Sequence, residues 1–307
     1  MDIGPDIGTG GFDARYRAFL ETITQIRPRL HRYCSRMTGS VLDGEDVVQE
    51  ALFEAYRNLD KYDDSRPLGP WLFRIAHNRC IDLLRRRGVR EDAEAGAVLP
   101  DFVLPVEPPG LEVGRAVESL VLCLPPKERA CLLLKDVFDY TLEEIAELVD
   151  STVGGVKAAL SRGRSKLTAL SPTEHSMRTP PKDPEISQLL QLYVDRFNRR
   201  DWDGLRELIS ADARLLVADR FAGRLVDSPY FGNYKMWTVT WKLAVGMVDG
   251  ESAVVVLEQH EDGWRPIGLV RLELREMRIV RIADYLHCPW MIGTAGSVVV
   301  TPQLSVN

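Results

Sequence analysis

Two proline-rich interruptions constrain this chain more than any other feature. Residues 89–110, entered after Gly88, carry Gly96, Pro100, Pro105, Pro108, Pro109 and Gly110 with acids between them. Residues 171–184 carry Pro172, Pro180, Pro181 and Pro184. Proline fixes φ and lacks an amide donor, so neither stretch continues a helix or a central strand. A chain of 307 residues broken in this way is read as three folding units joined by two linkers. Apolar spacing is helical up to the second break and alternating beyond it. The expected outline is therefore multidomain: all-α, linker, all-α, linker, α+β.

The boundaries follow from the same pattern. Residues 1–12 are glycine-rich and expected to be disordered. The first unit, 13–88, is expected to hold helices at about 13–37, 43–58 and 71–87, with a polar loop at 61–70. The second, 111–170, is expected to hold helices at about 111–122, 126–136, 141–149 and 152–170. The third, 185–292, starts with helices at about 185–199 and 202–210. Strands follow at 213–217, 238–247, 252–258, 266–274 and 277–285, before a tail at 293–307. Asp249-Gly250 and Asp262-Gly263 suit hairpin turns.

Net charge is −6, which argues against a simple electrostatic binder of nucleic acid. The average conceals local contrast. Arg74, Arg79, Arg85, Arg86, Arg87 and Arg90 face only Asp82 between Trp71 and Arg90, and Lys157, Arg162, Arg164 and Lys166 lie together without an acid. Two basic stripes in an acidic chain suggest DNA touched at two places. The five cysteines, Cys34, Cys80, Cys123, Cys131 and Cys288, are scattered without metal-ligand spacing and are expected to be buried reduced thiols. The N-terminus has no basic start with an apolar run, and no stretch approaches the ~20 apolar residues of a membrane span. A cytoplasmic protein without metal or cofactor is expected.

In the helix from Trp71 to Arg87, Leu72, Ala76, Cys80, Leu83 and Leu84 share a face and are expected core. The opposite face carries Trp71, Arg74, Asn78, Asp82 and Arg85. An aromatic ring beside Arg and Asn suits unstacked bases, whose stacking is worth about 1–3 kcal/mol each. Trp71 packed into the helix start, with a solvated arginine face, fits the same residues. The longer string reads Tyr33-Cys34-x-x-Met37-Thr38-Gly39-Ser40, then Asp46-Val47-Val48-Gln49-Glu50, then Trp71-Leu72-Phe73-Arg74-Ile75-Ala76-His77-Asn78. In order, spacing and residue type it resembles region 2 of the extracytoplasmic-function (group 4) sigma factors of bacterial RNA polymerase. The resemblance implies that the helix with Asp46, Gln49 and Glu50 docks on the β′ clamp helices of core RNA polymerase. It also implies that the loop with Ser65 and Arg66, and the helix with Trp71, Arg74, Asn78 and Arg85, capture the melted −10 element. Pro67 and Pro70 stiffen this loop, a departure from the family's Gly-and-Ser form.

Thr141-Leu142-Glu143-Glu144 is a capping box opening a short helix. After Asp150-Ser151 the next helix buries Val153, Val156, Leu160 and Leu167 and presents Gly154, Lys157, Ala158, Ser161, Arg162 and Ser165. Small and basic outward residues after a tight turn suit a helix-turn-helix in the major groove; a three-helix bundle with a basic edge fits as well. The segment is similar to region 4 of the same family, which recognises the −35 element and meets the polymerase β flap. By position Lys157, Ser161 and Arg162 are the expected base readers, and Arg164 an expected phosphate contact. The acidic linker would run near the polymerase active-site channel. Promoter DNA and core polymerase are thus the expected partners, in an alternative sigma factor rather than an enzyme. A ligand-responsive helix-turn-helix regulator is the competing reading.

The third unit's helices and strands, ending in Arg281-Ile282-Ala283-Asp284-Tyr285, resemble the SnoaL-like (nuclear-transport-factor-like) cone. This implies a regulator acting in cis through contact with the first two modules or the linker. In enzyme relatives such cones hold Asp/His pairs, for which Asp284, His287, His260 and Asp262 are the candidates here. Structural roles are expected for all four. The aromatic stretch Pro229–Trp241 suits a pocket lining, an interface or ordinary core.

Overall fold

The computed structural model describes residues 9–63, 65–94, 121–169 and 184–301. Most of both expected linkers, the start of the helix at 111–122 and the last residues of the tail lie outside the described residues. The described chain forms two compact units, one up to Ala169 and one from Pro184. The two helical modules, expected to be separate, form one unit.

In this unit α1 (Thr9–Thr38), α2 (Val41–Arg57) and α3 (Leu68–Glu94) pack together. Residues 9–12, expected to be disordered, are the first turn of α1, and α3 runs past Arg87 into the stretch assigned to the linker. Ser40 caps α2, its Oγ accepting from the Asp43 amide at 3.2 Å. Gly44 lets α2 cross α1 closely: a Cβ there would lie 2.8 Å from Ser35 Cα. The acids that open this helix do not face water. Glu45 is fully buried and pairs with Arg27 at 2.5 Å, and Asp43 pairs with Arg87.

The second module holds α4 (Pro126–Leu132), prolonged by a π-helical turn Leu133–Val137, then α5 (Leu142–Leu148) and α6 (Val153–Ala169). Where a helix was expected to end, Val121–Cys123 is a 3-10 turn. The capping box forms as expected: Thr141 Oγ1 accepts from the Glu144 amide at 3.2 Å, and Glu144 Oε2 accepts from the Thr141 amide at 2.7 Å. Asp150 takes φ +50°, the left-handed conformation that this turn requires.

One hydrophobic cluster spans both helical modules. The Phe138 ring lies 5.9 Å from Tyr33 and 6.0 Å from Phe73, and Tyr140 lies 5.7 Å from Phe73. Arg129, 2% exposed, sits beside this cluster. Its guanidinium donates to the Met37 carbonyl at the end of α1, and to the Leu122 and Leu124 carbonyls at 2.6 and 3.1 Å.

The second unit packs α7 (Pro184–Asn198) and α8 (Trp202–Leu208) on a seven-stranded sheet. Its strands are β1 (Ile209–Val217), β2 (Phe221–Arg224), β3 (Trp241–Val248), β4 (Glu251–His260), β5 (Gly263–Arg275), β6 (Arg278–Asp284) and β7 (Val298–Val300), in the order β2-β1-β6-β5-β4-β3-β7. Short helices α9 (Tyr230–Lys235) and α10 (Trp290–Thr294) complete it. The sheet is mixed rather than antiparallel, because β1 and β6 run parallel. Residues 293–301, assigned to the tail, finish α10 and supply the edge strand β7. Register shifts in the β1–β6, β4–β5 and β5–β6 pairs bend the sheet. Helices on a bent sheet are the outline expected of the cone.

Candidate nucleic-acid interface

Helix α3 separates its faces as its periodicity demands. Leu72, Phe73, Ala76 and Cys80 are buried, while Arg74, Asn78 and Arg85 are exposed. Trp71 departs from the expectation of an open stacking surface. It is half-buried against the core, with its ring 4.7 Å from that of Tyr62. In the loop before α3, Ser65 donates its amide (3.0 Å) and hydroxyl (2.7 Å) to Asp63 Oδ1. Those bonds hold the Asp63 carboxyl below its usual range. Arg66, expected to meet DNA, pairs with Glu147 of α5 at 3.1 Å.

A cleft of about 590 Å³ results, with Tyr62, Trp71 and Arg74 on one side and Tyr140, Glu144 and Glu147 on the other. The acidic edge of α5 thus faces the surface where the −10 strand was expected. Carboxylates there occupy a place complementary to phosphate.

On α6, Lys157 and Ser161 are exposed as expected. Arg162 folds back, its Nε 2.9 Å from Glu128 Oε1, and Lys166 Nζ lies 2.8 Å from Oε2 of the same carboxylate. The Lys166 bond, with Arg162 beside it, holds the Glu128 carboxyl below its ordinary value. Arg164 pairs with Asp136 at 2.7 Å. Arg162 and Arg164 are each about half-exposed and held by ion pairs to the preceding helical segment. The exposed Arg164–Asp136 pair is weak, about 0–1 kcal/mol, so a phosphate competes for that arginine, whereas Arg162 is held by a buried carboxylate.

On α2, Asp46, Gln49 and Glu50 share a face by their i, i+3, i+4 spacing. Gln49 is held by a 3.0 Å bond to Glu45, and Glu50 is exposed. The same face continues into Phe53, which is 59% exposed and has the Arg57 guanidinium 4.7 Å above its ring. The sequence reading missed Phe53. An aromatic three and four residues beyond Glu50 and Gln49, on an otherwise polar stripe, was the available signal.

Beneath these surfaces, Tyr33 Oη and His77 Nδ1 form a buried 2.8 Å hydrogen bond. Burial lowers the His77 pKa to about 4, against the ordinary 6.5, so the ring is neutral at pH 7. Its contribution to stability is fully present above pH 6.5 and is lost as pH falls toward 4. Acidification from pH 7 to pH 5 should cost about 2 kcal/mol through this group. Urea unfolding at the two pH values checks this, and H77N should remove about that much of the difference. A slope unchanged in H77N would place the acid sensitivity elsewhere.

In the second unit the four acid–base candidates do not converge. His260 pairs with Glu258 at 3.3 Å and Asp262 with Arg265, both around the β4–β5 turn. Asp284 and His287 line a separate cavity of about 410 Å³ with Tyr230, Tyr234 and Trp237. The aromatic stretch thus serves as pocket lining and as core, since Tyr230, Tyr234 and Trp241 also belong to the core. Among the described residues no helix is long and apolar enough to cross a membrane.

Residues 22–90 match the family Sigma-70 region 2, and residues 114–167 match Sigma-70, region 4. The ECF RNA polymerase sigma factor SigW of Bacillus subtilis is 34% identical over 162 residues, covering 49% of this chain and 87% of SigW. The ECF RNA polymerase sigma factor SigG of Mycobacterium tuberculosis is 32% identical over 228 residues, which is 66% of this chain but 61% of SigG. Among solved structures, the extracytoplasmic function sigma factor SigJ of M. tuberculosis is 18% identical with a TM-score of 0.35, covering 86% of this chain and 95% of that one. The sigma factor RpoE of Bartonella quintana, solved with the anti-sigma factor NepR, is 23% identical with a TM-score of 0.44, covering 51% of this chain and 98% of that one.

Proposed function

The chain belongs to the extracytoplasmic-function sigma factors, and from that premise we propose that it binds core RNA polymerase and directs promoter-specific transcription initiation. The α2 face of Asp46, Gln49, Glu50 and Phe53 docks on the polymerase. Arg74, Asn78 and Arg85, with Ser65, Arg66 and Trp71 beside them, meet the melted −10 strand. Lys157, Ser161, Arg162 and Arg164 meet the −35 duplex. One observation carries the reading: two exposed basic surfaces, on α3 and α6, stand in one chain in the order region 2, region 4.

The cleft between α3 and α5 adds a conformational step. With Glu144 and Glu147 set against Tyr62, Trp71 and Arg74, this arrangement is a closed one that withholds the −10 surface. Polymerase and promoter engagement then separates the modules, and the C-terminal unit biases that equilibrium in cis.

Run-off transcription with purified chain, core polymerase and a promoter selected by the chain tests the proposal. K157A should lower initiation roughly 5- to 100-fold, the range of one lost base contact, and only on templates with an intact −35 element. Truncation after Ser171 should alter the rate; an unchanged rate would exclude the C-terminal unit from regulation. Binding of −35 duplex without any affinity for core polymerase would overturn the sigma reading itself.

A further inference from the structure

The cavity of the second unit has a buried carboxyl, Asp284, in its lining. Asp284 ends β6 and is 2% exposed. Its Oδ2 accepts from Tyr230 Oη at 2.9 Å and from Tyr234 Oη at 2.6 Å, and its Oδ1 accepts from the Leu286 amide at 2.8 Å. The amide can only donate, and each tyrosine hydroxyl is placed to donate to an ionised carboxyl, so the site is equipped to hold a carboxylate.

Three neutral donors stabilise that charge but do not cancel it. Among the described residues Asp284 forms no ion pair, and burial pushes its pKa up. His287, on the cavity wall, supplies little charge at neutral pH, because burial and Arg220 hold its pKa down against the pull of Asp284 and Asp219. A buried carboxylate without a counter-ion is costly, and it is relieved by a proton or by a cation. The cavity beside it is large enough for a small molecule at about 410 Å³. Its walls include Tyr230, Tyr234 and Trp237, rings whose faces attract cations, together with apolar Ile267 and Leu286.

We propose that this cavity binds a small organic ammonium ion, its charged head over the Asp284 carboxylate and among the aromatic rings, its carbon body against Ile267 and Leu286. The site belongs to the C-terminal unit alone and is independent of the promoter reading.

The test uses the full chain without polymerase or DNA. Choline and benzyltrimethylammonium are titrated by calorimetry and by ligand-observed saturation-transfer NMR, beside 3,3-dimethylbutan-1-ol, the neutral carbon isostere of choline. At least one cation should bind, and choline should bind roughly tenfold or more tightly than its isostere. D284N should weaken cation binding by a similar factor. W237L, which keeps an apolar wall but removes the π-face, guards against loss of folding in D284N and should also weaken it. Equal affinity for choline and the neutral isostere, no binding of either cation, or full binding by W237L would each overturn the proposal.

Discussion

R129L should lower the stability of the helical unit by about 3–5 kcal/mol, read as a fall in its urea midpoint at constant slope. Arg129 is 2% exposed, and burial brings its pKa down to about 10, so it remains a cation at neutral pH. Its fork ties three carbonyls from two segments: Met37 at the end of α1, and Leu122 and Leu124 of the turn before α4. Leucine fills the volume but leaves those carbonyls without this donor, at about 1–3 kcal/mol for each one left unsatisfied. R129K should recover only part, because a point-like ammonium does not reproduce the planar fork. A loss under 1 kcal/mol would mean that water replaces the guanidinium and that the joint between modules is held elsewhere.

The second large effect is expected from F53A, which should weaken binding to core polymerase roughly 30-fold, or about 2 kcal/mol. Phe53 continues the stripe of Asp46, Gln49 and Glu50 with 59% of its surface exposed. An exposed aromatic contributes little to the fold, so circular dichroism and the unfolding midpoint should stay unchanged. Competition for labelled core polymerase, followed by anisotropy, gives the ratio directly. A change below threefold would move the docking surface off this face of α2.

The sequence made the local devices legible and left the long-range ones hidden. The Thr141–Glu144 capping box and the Asp249-Gly250 turn depend on neighbours along the chain, and both form as read. The β5–β6 hairpin turns at Glu276-Met277, with φ +50° and +57°, where no glycine marks it. The edge strand β7 was missed because Val298–Val300 is too short to show alternation and gains its meaning only beside β3. The same divide runs through the candidate site. Arg74 and Asn78 are exposed as helical spacing predicts, since the opposite face of the helix is buried. That Arg66 meets Glu147, and Arg162 meets Glu128, depends on how distant helices pack, which periodicity does not encode. The buried Glu45 is a further case: its partner Arg27 stands on another helix.

The ring cluster that joins Phe138 and Tyr140 to Tyr33 and Phe73 has a thermal consequence. Contacts between apolar surfaces lose strength as water is chilled, while the bonds within each helix do not depend on that solvent effect. A fall in temperature therefore weakens this joint together with the bundle cores, which share its apolar cluster, while the hydrogen bonds within each helix persist. Chilling is thus expected to ease helix from helix across the whole unit, the α3 face included.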